Sequence, residues 1–357
     1  MTYHYRGRQC LITGGLGFIG SNLAIRLARD GARVTIVDLQ VPGCGANSAN
    51  IRPVADSVEV VVADIAKPEV FDSAIRRADV VFNLAAEISH SHSRDFPDRD
   101  LALNVMAQLK FLRYCARRNP GVRIVYASTR QLYGTPKFLP VHEEHPVQPV
   151  DFNGVHKKAA GEYHLILGRT GGIDPVIVRL TNVYGPRMAI NAACQGFLAS
   201  FLRRALLGQP IEIYGDGSQL RDPLHVDDAV DALLRAGACE HLPHRIYNVG
   251  GAEALTVEEI ARIYSDFSAG SIIVKRPFPE GSKQLDIGSY YSDCTRIQDD
   301  LGWRATRLFE EGLSETFEFY RSQLCSYLDL DRLEQQCGFC SQIRGAAAVT
   351  EKRAAAS

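Results

Sequence analysis

Residues 13–20 read TGGLGFIG and set Gly14, Gly17 and Gly20 between an apolar run and a helical pattern, with Phe18 and Ile19 inside the same turn. Glycines so spaced let backbone amides at a helix N-terminus face a pyrophosphate, since no Cβ intervenes and the helix dipole favours negative charge. Asp38 closes the next apolar run, about 20 residues further on, where a carboxylate can take both ribose hydroxyls of a dinucleotide. It would repel a 2′-phosphate, and Leu39 and Gln40 follow where an arginine would be useful, so NAD is favoured over NADP. Asp64, with Ile65 beside it, ends a third run and is placed to approach adenine or to stand as an exposed strand-end carboxylate.

Glu87, His90 and His92 follow a fourth run, at the C-terminal sheet edge where doubly wound folds hold ligands. A carboxylate and two imidazoles there could act as base, contact substrate or form a polar loop. His225–Asp228, HVDD, reads as an acidic helix start rather than a metal site, because both carboxylates sit in the first turn. Cys337 and Cys340 form the single CxxC, with no second pair or spaced histidines nearby, so a tail helix end is favoured over zinc or redox use.

These residues need a frame to hold them. Runs rich in β-branched residues predict parallel strands at 9–13, 33–37, 58–63, 79–84, 122–127 and 175–180, buried on both faces. Helical spacing is expected over 22–29, 98–118 and 155–167, giving right-handed crossovers. After Arg179 the alternation loosens, with a helix over 226–236 and strands near 246–249 and 272–274. The predicted class is α/β: a Rossmann-type doubly wound parallel sheet with a smaller, interleaved C-terminal substrate lobe. The NAD-binding part spans 1–180 with part of 225–262 returning to it; the substrate lobe spans 181–325; 326–357 form a tail, poorly ordered at its end.

The chain has 357 residues, 40 basic against 41 acidic, so no net field draws nucleic acid or an anionic membrane. An anionic ligand must therefore be gripped locally. No apolar run approaches the roughly 20 residues that cross a bilayer. The N-terminus lacks signal-peptide regions and the nine cysteines are mostly scattered singles, which makes reduced thiols and the cytoplasm the expectation.

The chain resembles the extended short-chain dehydrogenase/reductases, specifically the nucleotide-sugar epimerases and dehydratases, over roughly residues 8–320. The likeness rests on TGGLGFIG with Asp38, NLAAE (83–87), STRQLYG (128–134), RLTNVYGPR (179–187), GDGSQLRDPLHVDD (215–228), YNVGG (247–251) and LGW (301–303). It implies that bound NAD oxidises a sugar carbon and hydride later returns, and that Leu84, Ala85, Ala86 and Asn104 join the cofactor wall. It also implies Thr129 as the hydroxyl that bonds the reacting group, and Lys157 as the lysine that holds the nicotinamide ribose and lowers the pKa of a catalytic Tyr.

That Tyr position, however, is Asn153. An amide can orient a hydroxyl but cannot take its proton. Tyr133 and Lys137 repeat the YxxxK spacing, yet Pro136 prevents a regular helix between them, so the pair is a decoy. A replacement base could be His156, three residues from Asn153, or Glu87; His156 could equally face packing, turned about 100° from Lys157. Arg130 and Gln131 stand where the family's 4,6-dehydratases carry an Asp-Glu pair, which disfavours 4,6-dehydration; Arg130 binds substrate charge or forms a surface ion pair.

Asn182 matches a diphosphate contact, and Arg187 and Arg221 have guanidinium forks suited to phosphate, with Asp222 an alternative partner for Arg221. Arg276 and Lys283 fall where relatives close over the nucleotide. Tyr290 and Tyr291 stack a base or, by preference, pack beneath LGW. The reading is an epimerase-like enzyme on a nucleoside-diphosphate sugar with a base other than Tyr. Another oxidation, decarboxylation or dehydration, or a catalytically silent nucleotide sensor, are the alternatives. A homodimer through helices 98–118 and 155–167 is implied by the resemblance, although their apolar faces could pack only on the sheet.

Overall fold

A computed structural model describes residues 5–41, 44–191, 196–268, 270–280 and 283–329, with the side chains of His90 and Ser91 outside that description. The Cys337 and Cys340 pair and the tail from residue 330 onward lie outside the described residues.

Seven parallel strands make one sheet: β1 (Gln9–Thr13), β2 (Arg33–Asp38), β3 (Val58–Val62), β4 (Val80–Asn83), β5 (Arg123–Thr129), β6 (Asp174–Leu180) and β7 (Ile246–Val249). Their spatial order is β7-β6-β5-β4-β1-β2-β3. The order reverses between β1 and β4, which opens a crevice beyond their C-terminal ends.

Strand side chains alternate between two cores. Cys10 and Ile12 of β1 enter one with Leu23, Leu27 and Leu233; Leu11 enters the other with Phe111, Leu112 and Ile124. β3 departs from the expectation of burial on both faces. It is the sheet edge, and Val60 and Val62 are 37% and 61% exposed.

Seven longer helices complete the frame: α1 (Phe18–Arg29), α2 (Gln108–Arg118), α3 (Phe152–Arg169), α4 (Phe197–Leu206), α5 (Val226–Ala238), α6 (Val257–Phe267) and α7 (Phe309–Gln323). α1 and α5 cover one face of the sheet, α2 and α3 the other. The helix expected over 98–118 is divided: Pro97–Leu101, a π-helical turn Ala102–Ala107, then α2. The turn carries Asn104, whose amide Nδ2 donates to Asp100 Oδ1 and to the backbone oxygen of Glu87, 2.9 Å each. Such turns recur at functional sites because they redirect one side chain out of helical register.

α4, α6 and α7 enclose the second lobe's core of Phe201, Leu202, Tyr264, Phe309, Phe317 and Tyr320, beside a parallel pair of strands, Ile211–Tyr214 and Ile273–Arg276. α5 and β7 return to the main sheet. No helix among the described residues is long and apolar enough to cross a membrane.

Candidate active site

The glycine turn is built by close approach. Gly14 has φ +72°, and a Cβ there would lie 2.9 Å from Ala85 Cα; a Cβ on Gly20 would lie 2.3 Å from Gly14 O. Larger residues would push α1 off the sheet edge. Gly17 precedes α1 with no side-chain cap, so the first-turn amides are left for an anion. Asp38 Oδ2 accepts from Leu16 N at 3.0 Å and Oδ1 from Gln40 N at 2.9 Å. Burial pushes its carboxyl up from the usual range, and those two backbone donors oppose the rise.

A cleft of about 690 Å³ runs from this turn across the switch point. Gly14, Gly17, Phe18, Ile19, Gly20, Asp38, Asp64, Ile65, Leu84, Ala85 and Ala86 all line it. Asp64 is half-buried, and its Oδ1 accepts from Ala66 N at 2.8 Å. Asn104 does not line the cleft: it sits behind the wall and clamps Glu87, accepting from its N at 3.1 Å while donating to its O. The uncapped helix start, the Asp38 carboxylate and the cleft's extent fit a dinucleotide.

Further along, Glu87, Ser128, Thr129, Asn153 and Lys157 share the same cleft. Thr129 ends β5, and its Oγ1 accepts from Gln131 N at 3.2 Å, which fixes the side chain and leaves its hydroxyl hydrogen free to donate. Lys157, buried on α3, donates to Ala127 O at 3.3 Å and lies 5.2 Å from the Tyr126 ring centroid. Desolvation lowers its pKa to about 8, partly offset by the negative charge of Asp100.

The Asn153 amide donates through Nδ2 to Glu87 O at 2.9 Å and to Asp100 Oδ2 at 3.0 Å. Its Oδ1 has no hydrogen-bond partner among the described residues. Ser128 was not singled out from sequence; its buried Oγ has no partner, and its place beside Thr129 at the end of β5 is the signal that could have found it.

Several expected site residues are turned elsewhere. His156 donates through Nδ1 to Asp100 Oδ1, 2.6 Å, and packs against Phe152 outside the cleft lining; the roughly 100° step from Lys157 carries it toward the Pro97–Leu101 helix. Arg187 spends its fork on Asn50 O at 3.1 Å and Asn22 Oδ1 at 2.9 Å, holding the second lobe to α1 rather than facing the cleft. Arg221 donates to Leu220 O and Gly288 O and pairs with Asp286 at 3.1 Å, not with Asp222. Asp222 instead accepts from Thr181 Oγ1 and Ser292 N. Arg276 is exposed and pairs with Glu212 at 3.6 Å. Lys283 starts a short turn beside the cleft residues Leu285 and Asp286.

Arg130 is no surface group. It is buried over the Tyr290 ring, donates to Asn182 Oδ1 at 2.8 Å, and desolvation lowers its pKa to about 10. Asn182 lines the cleft with its Nδ2 donors uncommitted among the described residues, suited to a phosphate oxygen. Tyr290 packs on Tyr133, but Trp303 of LGW lies in the main core and donates to Asp228 O. Tyr133 is sealed in: its hydroxyl donates to Asn248 Oδ1 at 2.6 Å and accepts from Arg179 at 2.7 Å. The His90 side chain lies outside the described residues, and His92 stands 3.8 Å from Glu87.

In HVDD the cap of α5 is His225, accepting from Asp227 N at 3.3 Å, while Asp228 locks the segment after LGW by accepting from Thr306 N and Arg307 N at 3.0 Å. His225, Asp227 and Glu315 gather within 4.8 Å, but Arg307 pairs with both carboxylates, so a cation already sits among them.

Fold and cleft together define a doubly wound dinucleotide-binding enzyme whose second lobe faces the reacting end. The chain belongs to the NAD dependent epimerase/dehydratase family, whose model matches residues 10–250. It is 35% identical over 320 residues to a UDP-glucose 4-epimerase of Mycolicibacterium smegmatis, covering 88% of this chain and 99% of that one. It is 29% identical to a UDP-N-acetyl-alpha-D-glucosaminuronate decarboxylase of Bacillus cytotoxicus, covering 88% and 98%. Among solved structures, DesIV, a dTDP-glucose 4,6-dehydratase from Streptomyces venezuelae with NAD bound, superposes with a TM-score of 0.82 at 26% identity over 90% and 99% of the two chains. The fold class and NAD as cofactor agree with the expectations from sequence.

Proposed function

We propose that this protein is an NAD-dependent epimerase of a UDP-hexose, inverting C4 through a transient keto sugar. The observation that carries the reading is Thr129, Asn153, Lys157 and Glu87 gathered at one end of a cleft whose other end holds the glycine turn and Asp38. Bound NAD supplies reversible hydride transfer at the sugar carbon. The chain's own groups do the rest: Thr129 donates a hydrogen bond to the reacting hydroxyl, and Lys157 holds the nicotinamide ribose. Asn182 grips a diphosphate oxygen.

Epimerisation is preferred to dehydration because Arg130 and Gln131, buried and bonded to Asn182 and Asp151, offer no acid to protonate a leaving hydroxyl. A silent sensor is disfavoured by Thr129, whose hydroxyl stands at the reacting end of the cleft and serves no purpose in mere nucleotide binding. The reading includes a homodimer, supported by Phe152, Val155 and Ile166 exposed along one side of α3, near exposed Met106.

The test is to identify nicotinamide released from the purified protein, then follow UDP-glucose to UDP-galactose by NMR. NAD retained with interconversion is the expected result. NADH accumulating stoichiometrically, or a protein that binds no nicotinamide, overturns the proposal.

A further inference from the structure

We infer that Glu87 is the proton acceptor that stands in for the absent tyrosine, and that Asn153 is the residue that positions it. The inference rests on the epimerase reading above.

The cleft narrows the choice. Of the described titratable side chains that line it, Asp38 ends β2 and Asp64 follows β3 at the adenosine end, Asp286 is paired with Arg221, Arg94 is paired with Asp95, and Cys44 lies in the loop after β2 within 3.5 Å of Arg99. That leaves Glu87 and Lys157 beside Asn153, and the Lys157 ammonium, which donates to Ala127 O and holds the ribose in this reading, has no lone pair to accept a proton.

Glu87 is 6% exposed, yet among the described residues its carboxylate has only one hydrogen bond, from Ile88 N at 3.3 Å. His92 at 3.8 Å and Arg99 at 4.0 Å face its Oε2 at the outer limit of ion pairing. A carboxylate so buried and so little satisfied is expensive unless a ligand hydroxyl completes it.

Its backbone, in contrast, is over-determined. Asn104 brackets Glu87 N and O, and Asn153 Nδ2 bonds the same oxygen while Asp100 fixes the far side of the amide. A tyrosine at residue 153 would reach past this point into the cleft; the shorter amide leaves that space and ties α3 to the segment carrying the carboxylate. The π-helical turn, Asp100 and Asn153 thus form one support for Glu87.

The step balances simply. As the sugar carbon gives up its C–H pair as hydride to oxidised nicotinamide, the O–H bond breaks, its proton passes to the Glu87 carboxylate and a C=O bond forms. On return of hydride to the other face, Glu87 gives the proton back to the alkoxide. Charges facing Glu87 are those of His92 and Arg99, with Asp100 on the far side of the Asn153 amide and Lys157 in the same cleft.

The experiment uses the NAD-loaded full chain as wild type, Glu87→Gln and Glu87→Ala. Two readouts are taken: UDP-glucose interconversion, and calorimetric affinity for UDP-glucose against its 2-, 3-, 4- and 6-deoxy analogues. Glu87→Gln is expected to lower kcat at least about 100-fold with NAD affinity unchanged and melting temperature not lowered. Wild type is expected to lose about 10-fold or more in affinity for one deoxy analogue, and Glu87→Ala to lose most of that discrimination, keeping only the part due to Thr129.

Wild-type turnover in Glu87→Gln overturns the assignment, as does undiminished discrimination in Glu87→Ala. Both leave the epimerase reading intact. A wild type that binds UDP-glucose no better than UDP, or binds no NAD, removes that reading and Glu87's role together. The affinity arm decides the matter even for a wild type that binds but does not interconvert UDP-glucose, and Glu87→Gln, isosteric with the native residue, decides it if Glu87→Ala fails to fold.

Discussion

The substitution Lys157→Met should make the NAD-free protein more stable at neutral pH while removing its function. Burial drops the Lys157 pKa from 10.5 to about 8. At about 1.4 kcal/mol per pH unit, the charged form costs the fold about 3 kcal/mol at pH 7 relative to the unfolded chain. The sign follows from proton binding. Between pH 8 and 10.5 the unfolded chain binds the proton that the folded chain has released, so wild-type stability gains from this group as pH rises through that window. Below pH 8 both states are charged and the whole penalty is present; above 10.5 both are neutral and it vanishes. Methionine carries no charge, so its advantage should be about 3 kcal/mol at pH 7, less the lost bond to Ala127 O, and should shrink toward zero by pH 10.5. Urea unfolding of both proteins without NAD at pH 7, 9 and 10.5 measures the difference, because every other titrating group is common to both. A Lys157→Met protein less stable than wild type at pH 7, or an advantage that does not fall with pH, would refute the desolvation argument. NAD binding by the same variant should weaken at least about 10-fold.

Gly20→Ala should cost about 1–3 kcal/mol and weaken NAD binding, since its Cβ would fall 2.3 Å from Gly14 O; unchanged thermal stability and NAD affinity would show that the turn yields freely. Tyr133→Phe should cost about 1–3 kcal/mol by stranding Arg179 and Asn248, yet keep turnover within about threefold, and a folded variant without turnover would make Tyr133 chemical after all. Val155→Glu combined with Ile166→Glu should leave a folded monomer by light scattering with sedimentation as cross-check; an unaltered oligomer would place any interface elsewhere.

Parallel strands and the dinucleotide turn were legible because each is a local signal. Buried parallel strands demand unbroken apolar runs, and the turn demands glycines where any Cβ would meet Gly14 O or Ala85. Asp38 was legible for the same reason, as its position at the end of β2 follows from strand length alone. Only the exposed edge strand β3 escaped that logic, since its Val-rich run reads like a central strand until its missing neighbour is known.

Side-chain allegiance was decided in three dimensions. Arg187 and Arg221 are good phosphate ligands on paper and Arg130 a candidate for substrate charge, but Asn22 and Asn50, Asp286, and Asn182 respectively reach them across 52 to 165 residues of chain. Motif spacing has no knowledge of such partners. Asp100 was not singled out, although it unites Asn104, Asn153 and His156 and so takes His156 out of the cleft. What sequence alone determined is the parallel strands, the dinucleotide turn and an amide at residue 153, because these depend on backbone periodicity and on which atoms residue 153 possesses. What the tertiary structure decided is which polar groups are already spent on one another and which remain free to meet a ligand, because a hydrogen-bond donor's capacity is finite and its partners come from distant parts of the chain.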